Sequence, residues 1–262
     1  MSEGLPMSAI GILHIPHSST VIPRDLRANF VLTEDSLRQE LLKMTDWYTS
    51  ELFSIPHDEA TTIRFPVSRL VVDPERFLDD DREPMVARGM GVIYTRTADG
   101  RPLRIVPSPA ERDALVSRFY HPHHQAITDT VRLALNEHGS CLIVDCHSFP
   151  SVALPCDLDQ APGRPDICIG TDPFHTPDWL AALATERFAG AGLSVEVNRP
   201  YAGAIVPAEY HGRQATVSSI MIEVNRRLYI DEDTGEKHAG FAAVAHLVQR
   251  VTREMISLSR RR

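Results

Sequence analysis

The sequence predicts an α/β fold, a mixed and mostly parallel central sheet flanked by helices, over a single domain spanning residues 1–262. Three observations carry that expectation. Short apolar runs alternate with amphipathic helical stretches along the whole chain, as in sheets built by crossover connections. The run Cys141–Val144 has no polar alternation, which suits a strand covered on both faces. Three of the runs end in chemically active residues, and ligands in such sheets bind beyond the carboxyl ends of the strands.

In chain order, AIGILHIP (9–16) reads as a strand, and Pro16 and Pro23 bracket the loop after it. LTEDSLRQELLKMTDWYTSELF (32–53) reads as one helix. Leu37, Leu41, Met44, Tyr48 and Leu52 recur at three-to-four spacing, and Thr33 with Glu34 and Asp35 makes its cap. Short strands are expected at TTIRFP (61–66), RLVVD (69–73) and GVIYT (91–95), with acidic DDDRE (79–83) as a solvated loop. A long helix should start near Ser108 and stop at Gly139, kinked or divided at Pro122. Strands follow at CLIVDC (141–146), PDICIGTD (165–172), LSVEVNRP (193–200) and VSSIMIEVN (217–225). A helix beginning at Asp178 should close at Gly190 or Gly192, and a last one should run from about 238 to 259.

Bulk properties narrow the function. A formal charge of −8 argues against a nucleic-acid surface, although clustered arginines can still bind small anions. The longest apolar runs are too short for a membrane span. The N-terminus lacks a basic region and a cleavage site, so no signal peptide is expected. Cys141, Cys146, Cys156 and Cys168 show no CxxC spacing, which disfavours a zinc ribbon or a disulfide framework and makes a reducing cytoplasm the default.

The strand ends carry the chemistry. His14 and His17 close the first strand, Asp145, Cys146 and His147 the 141 strand, and Glu223, Asn225 and Arg226 the 217 strand. If these ends converge they offer imidazoles and carboxylates, the ordinary ligands of zinc, which in catalytic sites takes three protein groups and leaves one place for water. His17 is preferred over His14 because it opens the loop. YHPHHQ (120–125) is dense in histidine, but no carboxylate accompanies it at helical spacing; packing or hydrogen bonding suits His121, His123 and His124 better. Arg69, Arg76, Arg199, Arg226 and Arg227 lie near strand ends and suit a substrate bearing carboxylates, which guanidinium groups bind in a planar fork.

The series HIPHSS, TDWYTSELF, SRLVVDPERF, GVIYT, DCHSFPS, PDICIGTD, NRPYAGAIVP and IMIEVNRRLYID, in this order between about residues 10 and 231, resembles the N-formylglutamate amidohydrolase family. The resemblance implies a zinc-carboxypeptidase-like (phosphorylase/hydrolase-like) fold related to aspartoacylase. It implies one zinc ion per chain held by His17 and His147. The acidic ligand that carboxypeptidase-like enzymes place three residues after the first His is replaced here by Thr20, and Asp46 is the substitute. The resemblance further implies Glu223 as general base and Arg69 facing the scissile carbonyl. Arg76, Asn198, Tyr201 and Arg226 would hold the substrate. The implied reaction is hydrolysis of N-formyl-L-glutamate to formate and glutamate, as in histidine degradation. The alternatives are another N-acyl amino acid or small peptide as substrate, or a non-catalytic anion-binding homologue. The expected partner is a small dicarboxylate N-acyl amino acid, with no nucleic acid and no membrane; a homo-oligomer stays open.

Overall fold

The computed structural model describes residues 10–261. Ala9, the first residue of the expected opening strand, and the first nine residues of the stretch read for a signal peptide lie outside them. Six strands form one sheet: β1 (Gly11–Ile15), β2 (Ala60–Arg64), β3 (Cys141–Phe149), β4 (Ile167–Gly170), β5 (Val195–Val197) and β6 (Val217–Asn225). Their order is β2-β1-β3-β6-β4-β5. The first four in that order run parallel; β4 lies antiparallel to β6 and parallel to β5. This is the mixed, mostly parallel α/β sheet expected. Every residue of β3 is buried, as its unalternated apolar run requires.

Period-two alternation divides the sheet into two faces. Leu13, Ile15, Leu142, Val144, Ile220 and Ile222 point into one core, covered by α2 (Thr49–Leu52), α5 (Asp178–Gly190) and α6 (Phe241–Ser259). Ile12, Ile143 and Val217 point the other way, against Ile127, Val131 and Ala134 of α4 (His121–His138). On that second face the alternation continues upward into His14, Asp145, His147 and Glu223.

Four local expectations change. The helix expected over 32–53 breaks into α1 (Glu34–Met44) and α2. Thr33 caps α1 as foreseen, its side chain accepting from Ser36 N–H. The break comes at Thr45, which is extended, and at Tyr48, which is left-handed with φ 60°. The strand expected at 69–73 is a turn: Arg69 and Asp73 form an ion pair of 2.8 Å, whereas an extended chain would hold residues four apart at about 13 Å. The strand expected at 91–95 reduces to one bridge between Met90 and Tyr94. The helix after Ser108 does run to Gly139 and is divided, but just ahead of Pro122 rather than at it. Between α3 (Pro109–Leu115) and α4 the chain winds through a π-helical turn, Val116–Tyr120, which accommodates the missing proline N–H.

The 201–206 segment crosses β4 so closely that a Cβ at Gly170 would collide with the carbonyl oxygen of Gly203 and with Met221. Gly170→Ala is therefore expected to lower stability by about 1–3 kcal/mol, the usual cost of overpacking, read as a lower urea midpoint at unchanged slope.

Candidate active site

The β1–β3 register sets His14 beside Asp145, and the β3–β6 register sets His147 beside Glu223. Asp145 and His147, two apart on one strand, share a face. His17 follows in the loop after β1. Its carbonyl accepts the Asp46 N–H at 3.0 Å, so the interruption between α1 and α2 is what delivers the Asp46 carboxylate. Asp46 Oδ2 lies 2.9 Å from His147 Nδ1 and 3.7 Å from His17 Nδ1. The donor atoms of His17, Asp46 and His147 all lie within 4.8 Å of one another, and all three residues are buried.

The outer nitrogens of both rings face carboxylates. His17 Nε2–H donates to Asp73 Oδ1 at 2.9 Å. His147 Nε2–H lies 3.1 Å from Asp145 and 3.2 Å from Glu75. With protons on both Nε2 atoms, both Nδ1 lone pairs face Asp46, the arrangement in which carboxylates orient metal-binding histidines. His17 Nδ1 is buried and has no hydrogen-bond partner. An orphaned lone pair beside a carboxylate and a second imidazole is a donor set that fits a divalent ion.

Electrostatics hold the set in its ionised form. Burial pushes Asp46 up, but the hydrogen bond from His147 and the charge of His17 outweigh it and hold the carboxyl well below its usual range. Asp73 is likewise held low: the Arg69 guanidinium and His17 overcome its burial. Burial and Arg69 push His17 down, yet Asp73 and Asp46 leave it raised.

A second group, His14, Glu75 and Asp145, stands behind the first. His14 Nδ1–H donates to Asp145 at 2.7 Å and its Nε2 meets His123 Nε2 at 2.9 Å. Burial drives His123 down to about 2, so it stays neutral. His124 lies 2.7 Å from the Pro74 carbonyl and stacks on Tyr120. His123 and His124 therefore brace the centre from behind, by hydrogen bonding and packing, whereas His121 is exposed and packs against Tyr120.

Glu223 is buried, and its Oε2 has no hydrogen-bond partner. Burial, opposed by His147 and Arg226 and aided by Asp46 and Glu75, raises it to about 8. Arg69 donates to Asp73 through Nη2 and Nε, while its Nη1 reaches to 3.8 Å from Asp46. Arg76 Nε stands 3.7 Å from Asp73, too far for a hydrogen bond, and Nη1 stands 3.8 Å from Glu83.

The remaining candidates lie further out. Arg226 donates to the Lys43 carbonyl at 2.7 Å and approaches Asp46 at 3.4 Å, so it braces a carboxylate of the centre. Tyr201 bonds Arg164 at 3.2 Å and faces Phe149. Asn198 is not brought to the cluster. It is exposed at the end of β5, and both ends of its amide bind Thr171, at 2.9 and 2.8 Å. Arg227 and Arg199 form outer ion pairs with Asp166 and Glu196.

Sequence reasoning missed Asp73 and Glu75 as members of the centre. The signal was present as a cluster of charges of both signs, Arg69, Asp73, Glu75 and Arg76, around an apolar stretch. Tyr94 was missed too; its hydroxyl donates to Asp73 at 2.5 Å.

A mixed sheet that gathers imidazoles, carboxylates and arginines at its strand ends offers the groups that metal-assisted hydrolysis uses. The sequence model of the N-formylglutamate amidohydrolase family matches residues 11–230. The chain belongs to that family. Among solved structures, the N-formylglutamate amidohydrolase of Ralstonia eutropha JMP134 superposes with a TM-score of 0.85 at 25% identity, covering 100% of this chain and 97% of that one. A gene product of Agrobacterium tumefaciens superposes at 0.68 with 22% identity, covering 96% and 92%, and shares the fold. No curated protein matches the chain.

Proposed function

We propose that the chain is a zinc-dependent amidohydrolase that cleaves the formyl C–N bond of N-formyl-L-glutamate to formate and L-glutamate, acting in the cytoplasm in histidine degradation as one domain. The observation that supports it most is a pair of buried polar atoms without hydrogen-bond partners, His17 Nδ1 and Glu223 Oε2, on residues that each neighbour His147. Unpaired buried polar atoms are costly and point to a ligand.

His17, Asp46 and His147 would hold one divalent ion. When bound, such an ion polarises a carbonyl and lowers the pKa of water from ~15.7 to roughly 7. Glu223 takes the proton as water attacks the formyl carbon, and returns it to the departing glutamate nitrogen as the C–N bond breaks. Arg69, fixed by Asp73 and Tyr94, offers its Nη1, which faces Asp46 at 3.8 Å, to the oxyanion. Arg76 holds a substrate carboxylate, with Tyr201 and Arg226 shaping the wall behind it.

Formate release from N-formyl-L-glutamate tests the reading directly. Activity should vanish after chelation and return with zinc. Undiminished activity in chelator, or turnover of N-acetylaspartate or a dipeptide in place of the formyl substrate, would overturn it. For Arg76→Ala, loss of one charge-assisted contact should lower kcat/KM by about 10–100-fold, mostly through KM. Unchanged KM for the dicarboxylate would remove Arg76 from the pocket.

A further inference from the structure

Away from the active-site face, a cavity of about 260 Å³ opens between the Arg24–Asn29 turn and the start of α3. Leu26, Ile105, Val106, Pro107 and Leu115 give it apolar walls, and Arg104 closes its inner end. Arg104 is 5% exposed. It donates through Nη2 to the carbonyls of Leu70 and Val71 and lies over the Phe30 ring at 4.6 Å. Its Nε is buried without a partner. The other fully buried arginines each meet a carboxylate, Arg164 with Asp157 at 2.6 Å and Arg226 with Asp46 at 3.4 Å. Among the described residues no carboxylate forms an ion pair with Arg104. Glu111 lines the same cavity, but its carboxylate is engaged in the α3 capping box, accepting from Ser108 N–H and O–H at 2.8 and 2.7 Å. Arg118, at the rim, is paired with Asp25.

We propose that this cavity is an accessory binding site for a short, branched-chain carboxylate, whose anion pairs with Arg104 and whose alkyl end fills the apolar walls. A buried cation without a counter-charge is costly, and burial alone lowers Arg104 to about 10. An entering carboxylate supplies the missing charge through a guanidinium that has spare donors. The cavity is smaller than the ~300–1,000 Å³ that holds drug-sized ligands, which sets the ligand's size. The exposed Ile105 and Val106, 64% and 71% accessible, gain cover from the alkyl end. Arg104 also grips the segment that carries Arg69 and Asp73, so the site lies directly behind part of the active centre.

Calorimetry on the full chain tests this with isovalerate as the probe. Isovalerate should bind one per chain. Isovaleramide, the same shape without the charge, should bind at least about tenfold more weakly, given the strength of charge-assisted bonds. Formate should lose about fourfold for each methylene no longer buried. Arg104→Met should abolish binding. Ala114→Trp fills the cavity from an exposed position without touching the Arg104 bonds, and it should also abolish binding while the melting temperature is kept. Arg76→Ala should leave isovalerate affinity unchanged, which separates this site from the proposed substrate pocket. Equal binding of acid and amide, wild-type affinity in Ala114→Trp, loss in Arg76→Ala, or no heat at millimolar isovalerate would each overturn the proposal.

Discussion

Glu223→Gln is expected to lower turnover by about 10²–10⁴-fold, the usual contribution of a general base, with the metal content left at one ion per chain. The amide keeps the shape and burial of the side chain but has no basic oxygen, so only the proton transfer is removed. The same substitution should raise the stability of the metal-free protein. Burial lifts Glu223 from its ordinary 4.5 to about 8, with Asp46 and Glu75 adding to the rise against His147 and Arg226. The unfolded chain releases this proton near 4.5 and the folded chain keeps it to about 8. The contribution is therefore fully present below the lower value and lost as pH rises between the two. Urea melts at about pH 5 and about pH 8 should show wild type losing more stability than the Gln variant over that interval, up to about 1.4 kcal/mol per pH unit. Such a residue trades stability for chemistry. Near-normal formate release by the Gln variant, or parallel pH profiles for the two proteins, would take Glu223 out of the base role.

What could be read from the chain follows from how local the signal is. β6 was legible residue by residue and β3 over 141–146, though it runs three residues further, because unalternated apolar runs and strand-end polar groups are statements about burial and direction that the sequence itself carries. His17, Asp46, His147 and Glu223 meet in one buried cluster for the same reason: three of them stand at or just beyond strand ends. Asp46 stands instead at a helix interruption that periodicity conceals, since Leu41, Met44, Tyr48 and Leu52 keep helical spacing across the break. The break depends on the distant pairing of Asp46 N–H with the His17 carbonyl. Arg69 and Asp73 were placed in a strand because Leu70–Val72 are apolar and β-prone; the buried ion pair that winds the segment into a turn is a tertiary interaction that overrides propensity. Asn198 read as a pocket residue because it follows a strand, but the antiparallel turn of β4 points the ends of β4 and β5 away from the site.

His147→Ala should release the metal altogether, and the comparison with its neighbours makes the outcome diagnostic. Among the described residues His147 is the imidazole that hydrogen-bonds both carboxylate sets, Asp46 through Nδ1 at 2.9 Å and Asp145 through Nε2 at 3.1 Å. Burial pushes it down, but Glu75, Asp145 and Asp46 raise it well above the ordinary histidine range in the metal-free protein. An ion must therefore displace a proton from this ring, and affinity should fall as pH is lowered. Removing the ring also leaves three carboxylates facing one another with neither proton nor metal between them. Elemental analysis after gel filtration should find about one ion per chain in wild type and almost none in His147→Ala or His17→Ala, with circular dichroism unchanged. Asp73→Asn keeps the His17 ring in place and weakens only its orienting bond, so its loss should be the ~10–100-fold typical of an outer partner. His14→Ala separates the two possible donor sets: it should keep the ion, because His14 already has both nitrogens paired, to Asp145 and His123. An ion that survives His17→Ala and is lost in His14→Ala would instead sit on His14, Glu75 and Asp145, and the base, the oxyanion donor and the substrate grip would all have to be reassigned around that position.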